Sequence, residues 1–451
     1  MTLVDTLIRR YGGPIPRYTS YPTAPHFHSG VNASAYADWL GAIDADASLS
    51  LYFHVPFCAR MCWYCGCHTK VVNSAAPVED YARALLAELR LAADVIPGRP
   101  RVAHIHFGGG TPTMLADADF DRLMGVVAAR FRLDPKAEIA IEIDPRTVTR
   151  EKARMLAACG VTRASLGVQD VNEKIQAAVN RVQPFDTVAR VAGWLDDAGI
   201  ADLNVDLMYG LPHQTAADVV ATVDAVTTLV PDRIALFGYA HVPWMKRHQR
   251  LIDEAALPGV RDRLVQADAA ARRLEANGFR RIGLDHFARP SDSMAKARAA
   301  GTLRRNFQGY TTDAADALIG LGASSIGALN QGYVQNKTRI RDWHGDIAAG
   351  RFAVEKGLWL DADDRLRRDA IERLMCDMRV DLDRVRERHP DVAETFGDEL
   401  GMLCLMANDG LVTLGGNTIT VTEKGRPWLR AVAAVFDRYL RNGAGRHSVA
   451  V

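Results

Sequence analysis

Between residues 49 and 240, one pattern repeats six times along this 451-residue chain: a short apolar run, then a stretch with helical periodicity. The runs fall at 49–55, 102–107, 138–143, 162–168, 202–209 and 233–239; helical patterns lie at 78–96, 117–131, 150–159, 185–198 and 215–229. A strand that returns to its sheet through a helix returns parallel to its predecessor, so the repeat predicts an α/β fold with a parallel sheet. A partial (β/α)6 barrel and a doubly wound sheet both satisfy it. In either one, chemistry gathers where the strands end.

The first strand ends in the densest cluster of reactive side chains in the chain. Cys58, Cys62 and Cys65 stand in C-x3-C-x2-C spacing, and Cys67 follows within FHVPFCARMCWYCGC. Soft thiolates at short, fixed spacing favour iron–sulfur or zinc. Three ligands on one loop suit three irons of a [4Fe–4S] cube, with the fourth iron open to a substrate or cofactor. Zinc is the alternative, with His68 as a fourth ligand. Cys159, Cys376 and Cys404 are isolated in apolar helical contexts and read as small buried hydrophobes.

The other strand ends are unusual too. The second runs into Gly108-Gly109-Gly110-Thr111-Pro112-Thr113, bare backbone that lets a ligand approach. The third carries Glu142 among apolar neighbours, a carboxylate that needs a partner, with Arg146 as one choice. The fourth ends in Gly167-Val168-Gln169 and leads to Asn180-Arg181-Val182-Gln183; the fifth carries Asn204 and Asp206; the sixth ends in Tyr239-Ala240-His241. Arg181 and Asp206 could equally form an internal ion pair.

F-H-V-P-F-C-x3-C-x-Y-C-x-C resembles the motif of radical S-adenosylmethionine enzymes, and in its extended form that of the oxygen-independent coproporphyrinogen III oxidases. The similarity runs from PRYTSYPTA (16–24) through GGTPT, GVQ, NR-x-Q, N-x-D-L-x-YGLP and YAHVPW to RNFQGYTT (305–312) and LIGLGASSIG (318–327). It implies the partial (β/α)6 TIM-like barrel, a [4Fe–4S] cluster on Cys58, Cys62 and Cys65, and two S-adenosylmethionine molecules per active site. Tyr52, Gly109, Glu142 and Ile326 would contact the one on the cluster. Tyr64, Gly110, Thr111, Gln169, Arg181, Asp206 and Ala240 would contact its neighbour. The implied reaction is anaerobic oxidative decarboxylation of two propionates of coproporphyrinogen III, giving protoporphyrinogen IX.

Four carboxylates on that substrate call for cations. Arg17, Lys246, Arg304 and Arg305 are the candidates, each in a polar-aromatic stretch, with Tyr18, Tyr21 and Cys67 as further contacts. The expected organisation is an N-terminal arm (1–47) closing the site, a barrel with its extension (48–345), and a C-terminal domain (346–451). Within that last domain, helical patterns at 361–378, 381–389 and 392–408, a hairpin at 411–422 and a final helix at 426–441 resemble a winged helix. A haem-handling radical relative, a haem-degrading methyltransferase relative and a DNA-binding redox sensor are the rival readings. Cys67 and the arm argue against the first. The formal charge of +1 argues against a chain devoted to nucleic acid or an anionic membrane.

Clustered thiols predict a reducing, cytoplasmic setting. The N-terminus lacks the apolar core of a signal peptide, and no apolar run reaches membrane-spanning length. The expected partners are a flavodoxin- or ferredoxin-type electron donor and an unidentified acceptor, for a monomeric enzyme.

Overall fold

The computed structural model describes residues 2–393 and 396–440. Six parallel strands form its centre: β1 (Ser48–Val55), β2 (Arg101–Gly109), β3 (Arg132–Ile143), β4 (Arg163–Gln169), β5 (Asp202–Tyr209) and β6 (Arg233–Gly238). They neighbour one another in chain order. That sequential order settles the choice left by the periodicity: a doubly wound sheet reverses direction at a switch point, and this one does not.

The sheet continues at both edges and stays open. Beyond β6 lie β7 (Arg280–Ile282) and β8 (His286–Ala288). Beyond β1 lie β9 (Ala317–Leu321), parallel to it, and then antiparallel β10 (Ile326–Leu329), β11 (Gly332–Asn336) and β12 (Val354–Trp359). The full order is β12-β11-β10-β9-β1-β2-β3-β4-β5-β6-β8-β7.

Alternation along the strands separates two faces. Leu51, Phe53, Ile105, Phe107, Ile139, Ile141, Leu166, Val205 and Ile234 are buried in the core beneath the crossover helices. The intervening residues include Tyr52, His106, Glu142, Ser165, Asn204 and Asp206. Strand register sets Tyr52 beside His106, Glu142 beside Ser165, and Ser165 beside Asn204. The polar row is therefore the lining of the half-barrel. Helix Ala76–Val95 pins the end of β1: Tyr81 Oη donates to the His54 carbonyl (2.8 Å) and accepts from Ala323 N (2.8 Å).

The C-terminal unit has its own core. Helices Ala362–Asp377, Leu382–Arg388 and Gly397–Asn408 pack with a three-stranded sheet in the order Arg379–Asp381, Thr418–Val421, Val412–Gly415. These are the elements of a winged helix. The expected boundary at 345/346 falls ahead of β12, which still pairs with β11 in the main sheet. The helix expected over 392–408 begins at Gly397, behind Phe396 in a left-handed conformation (φ 57°); residues 394–395 lie outside the described ones. The final helix expected over 426–441 is a 3-10 turn, Arg426–Trp428, and one short helix, Leu429–Ala434. Asp437 stops it by accepting from Tyr439 N (2.9 Å) and Leu440 N (3.1 Å); residue 441 lies outside the described chain.

The N-terminal arm contains two helices, Leu3–Tyr11 and Ala33–Gly41. Leu7, Tyr18 and Tyr21 are buried in the C-terminal core. Farther along, His28 pairs with Gly357 on the edge strand β12. The arm thus ties the C-terminal unit to the sheet. Among the described residues no helix is long and apolar enough to cross a membrane.

Candidate active site

The cysteine loop leaves β1 through Phe57–Cys58 and returns through Lys70–Val71, which pair in parallel and close its base. The segment between is held mainly by its own carbonyls. Asn180 Nδ2 donates to Met61 O (2.8 Å), Gln249 Nε2 to Tyr64 O (3.0 Å) and Lys246 Nζ to Cys67 O (2.8 Å). His248 Nε2 meets Cys65 O at 2.7 Å and His54 Nε2 meets His68 O at 3.0 Å. With the backbone fixed this way, the thiols are left to face a cavity of about 500 Å³.

The donors around the sulfurs are cationic or neutral. Arg146 Nη2 (3.5 Å) and Arg181 Nη1 (3.4 Å) both reach Cys62 Sγ, and Thr111 Oγ1 donates to Cys58 Sγ at 3.5 Å. Both guanidinium groups place positive charge beside the Cys62 sulfur. Burial pushes the Cys58 thiol up to about 11. Hydrogen bonding from Cys67 holds Cys65 down to about 6 and drives Cys67 itself up. Among the described residues, no three His, Cys, Asp or Glu side chains gather as a single metal ion would require. His68, the fourth ligand considered for zinc, turns Nε2 to the Thr338 carbonyl (2.6 Å). Three thiols on one roomy wall, with Arg146 and Arg181 beside them, suit a multi-iron cluster better than a single ion.

The glycine run is docked on the same loop. Gly110 N donates to Val55 O (2.9 Å) and Thr111 N to Phe57 O (2.7 Å). A Cβ on Gly110 would stand 2.5 Å from Phe57 O and 2.8 Å from Phe57 N. Backbone on both sides leaves nothing to give way. Gly110→Ala is therefore expected to weaken S-adenosylmethionine binding at least about tenfold, roughly 1.4 kcal/mol. Equilibrium dialysis of the reconstituted protein measures it, and wild-type affinity would show that the loop yields.

Glu142 takes its partners from the neighbouring strand. Its Oε2 accepts from Gly109 N (3.0 Å) and its Oε1 lies 3.3 Å from His106 Nε2. Burial alone would raise this carboxyl, but the His106 and Gly109 hydrogen bonds bring it below the usual value, so it is charged at neutral pH. Arg146 pairs with Asp144 (2.7 Å), not with Glu142. Burial pushes His54 down to about 4, so the ring is neutral. Its Nε2 then donates to the His68 carbonyl, and its Nδ1 accepts from Tyr52 Oη at 3.0 Å.

Arg181 and Asp206 do not form the ion pair considered from sequence. Arg181 lies 3.7 Å from Asp144 and donates to the Gly167 carbonyl (2.5 Å). Asp206 accepts from Ser165 Oγ (2.9 Å) and Asn204 Nδ2 (3.0 Å). Burial, then the nearby Glu142 charge, raises Asp206 to about 6.

Of the residues singled out from sequence, Cys58, Cys62, Cys65, Cys67, Tyr64, Gly109, Gly110, Thr111, Glu142, Gln169, Arg181, Asp206, Ala240 and Arg17 line this one cavity. Tyr52 and Ile326 are not on that lining. Ile326 packs instead against the cluster of Phe27, Tyr333, Leu358 and Leu360. Most of the expected substrate contacts are engaged elsewhere. Tyr18 is 3% exposed, with Oη on Asp437 (3.0 Å), and Tyr21 is 1% exposed. Arg304 pairs with Glu372 (3.3 Å). Arg305 donates to the Tyr18 and Arg17 carbonyls (3.0 and 3.1 Å) and covers the Tyr310 ring. Lys246 serves the loop carbonyl given above. Local composition could not separate these arginines from ones facing a ligand. Arg146 as a donor to Cys62 was missed as well; its one signal was its place just past the third strand.

Comparison with known proteins agrees with this geometry. Residues 52–226 match the radical SAM superfamily model. The chain is 50% identical over 437 residues to the oxygen-independent coproporphyrinogen III oxidase of Bradyrhizobium diazoefficiens, covering 97% of both chains. It is 39% identical to the enzyme of that name from Salmonella typhimurium, covering 97% of this chain and 96% of the relative. The solved coproporphyrinogen III oxidase of Escherichia coli, described as a radical SAM enzyme, superposes with TM-score 0.89 at 37% identity, over 94% of this chain and 97% of that one.

Proposed function

This chain belongs to the oxygen-independent coproporphyrinogen III oxidases of the radical SAM superfamily, and from that premise we propose how its own residues divide the work. It catalyses the anaerobic oxidative decarboxylation of coproporphyrinogen III. Cys58, Cys62 and Cys65 hold the [4Fe–4S] cluster; the observation that carries this is the seating of all three on one cavity wall with Arg146 and Arg181 at Cys62. With cluster and S-adenosylmethionine bound, the site would supply the radical chemistry that takes one hydrogen from a propionate, the hydrogen leaving on 5′-deoxyadenosine; loss of CO2, and of one electron to the unidentified acceptor, would leave the vinyl group.

Ionised Glu142 and the Gly109 backbone would hold the amine and ribose of the S-adenosylmethionine at the cluster. Tyr52, fixed through neutral His54, stacks on His106, the partner of Glu142, and would support that carboxylate from behind. A second S-adenosylmethionine lies beside the first. Supporting this, all seven residues assigned to it, Tyr64, Gly110, Thr111, Gln169, Arg181, Asp206 and Ala240, line the same cavity. Arg181 would face its carboxylate and Asp206 its cationic or hydroxyl groups.

We assign the electron supply to a flavodoxin- or ferredoxin-type donor and read the enzyme as a cytoplasmic monomer, the setting a thiolate-held cluster needs. The test is an anaerobic assay of the reconstituted chain with reductant, S-adenosylmethionine and coproporphyrinogen III. 5′-Deoxyadenosine and protoporphyrinogen IX are expected together, near two to one. Deoxyadenosine without vinyl product would move the substrate to the haem-handling relatives.

A further inference from the structure

One short segment holds three carbonyls of the cysteine loop. Lys246, His248 and Gln249 reach those of Cys67, Cys65 and Tyr64. Around these anchors the same segment turns side chains to solvent. Gln249 is fully buried, but Met245 is 65% exposed and Leu251 59%. Arg247 and Arg250 are exposed too. Three residues apart in the 3-10 turn Arg247–Leu251, they share a face.

Neither the fold nor the site uses these four side chains. None of them lines the cysteine cavity. From Pro243 to Leu251 the chain carries Lys246, Arg247 and Arg250 and no acid. Glu254, the next glutamate along, is taken by His241 (2.9 Å), and among the described residues no carboxylate pairs with Arg247 or Arg250. A single exposed apolar residue needs no explanation. Two of them beside two unpaired arginines, on the segment that anchors the thiol loop, do need one. Methionine and arginine are side chains that protein interfaces concentrate.

The reaction needs one electron from outside for each S-adenosylmethionine cleaved. Tunnelling weakens steeply with distance, so the electron must enter close to the thiols. Between this surface and Cys65 stands one side chain, His248, with Nε2 2.7 Å from the Cys65 carbonyl.

We infer that Met245, Arg247, Arg250 and Leu251 form the docking surface for the electron donor, an acidic redox protein of the flavodoxin or ferredoxin kind. This rests on the reading of Cys58, Cys62 and Cys65 as ligands of a reducible [4Fe–4S] cluster. The donor is oxidised by one electron and the cluster reduced by one; no bond or proton changes hands. Carboxylates around the donor's redox group would meet Arg247 and Arg250, and its apolar rim would meet Met245 and Leu251. Redox encounters of this type are small and transient. Opposite charge speeds and orients them.

The test measures binding of a flavodoxin, and separately of a ferredoxin, to the anaerobic holoenzyme by titration calorimetry. Alongside it, the rate at which each reduced donor bleaches the cluster is followed. Dithionite, which needs no docking, is the reference reductant. The variants are Arg247→Glu, Arg250→Glu, Met245→Ser and Leu251→Ser, with Arg90→Glu, exposed on helix Ala76–Val95, as the charge control. For one donor at least, each glutamate variant of the turn is expected to weaken binding about fivefold to tenfold in dilute buffer. That difference should shrink at about 0.5 M salt. The serine variants should lose about fivefold with little salt dependence. Arg90→Glu, and bleaching by dithionite in every variant, should match wild type. Donor affinity within twofold of wild type in all four variants overturns the surface, and so does a wild type that binds neither donor. A slowing that dithionite shares places the damage in the cluster and overturns it as well. Wild type that sediments as a dimer, which Met245→Ser splits, would give the patch to a second copy of the chain instead. A holoenzyme that dithionite cannot bleach sinks the cluster reading itself, a different result from a bleachable cluster with indifferent variants.

Discussion

Alanine at Cys58, Cys62 or Cys65, one at a time, is expected to remove the iron–sulfur absorbance and reduce both 5′-deoxyadenosine and vinyl product to background. The loop gives no substitute ligand: Cys67 is the one further thiol on the cavity wall, and His68 is engaged by the Thr338 carbonyl. Its backbone will still close, because what holds it are carbonyl contacts from Asn180, Gln249, His248 and Lys246, none of which needs a thiol. The variants should therefore fold and melt as apoprotein does, while failing to retain iron. Cys67→Ala is the contrasting case and should keep its iron, since it stands outside the C-x3-C-x2-C spacing. Iron and sulfide analysis with the visible spectrum decides the matter; a full cluster in Cys62→Ala would remove that residue from the ligand set.

Deleting residues 2–30 should have an effect as large, for a different reason. The sequence suggested a lid, but Leu7, Tyr18 and Tyr21 are core residues of the C-terminal unit. Each is worth about 1.5–3 kcal/mol of burial, so the three together approach roughly 5–9 kcal/mol as an upper estimate. Whole domains are stable by only about 5–15 kcal/mol. The truncated chain is thus expected to lose the cooperative melt of its C-terminal unit. Arg17→Gln isolates the arm's part in the chemistry. It should melt like wild type, because Arg17 is exposed and its contact is one carbonyl. Its KM for coproporphyrinogen III should rise about tenfold. A truncated protein with normal melting and full turnover would refute the structural role of the arm.

The repeat of strand and helix, the thiol loop and the polar strand ends were legible in the sequence because each is a local property. Strand and helix periods are written in neighbouring residues, and cluster ligands supplied by one loop are close along the chain before they are close in space. The helices at 117–130, 150–158 and 185–197 lie within a residue of expectation on that account. Where side chains reach over long distances, local reading failed. Arg181 is 119 residues from Cys62, the sulfur it meets. Arg304 and Arg305 looked as ready for a substrate as Arg17, yet packing gives them Glu372 and the arm's own carbonyls. Arg247 and Arg250 lie in another such polar-aromatic stretch, and only the seating of their turn, through contacts 183 and 185 residues apart in the chain, brings them to the cysteine loop. A charge's role follows from what neutralises it, and its neutralising partner is chosen by tertiary packing.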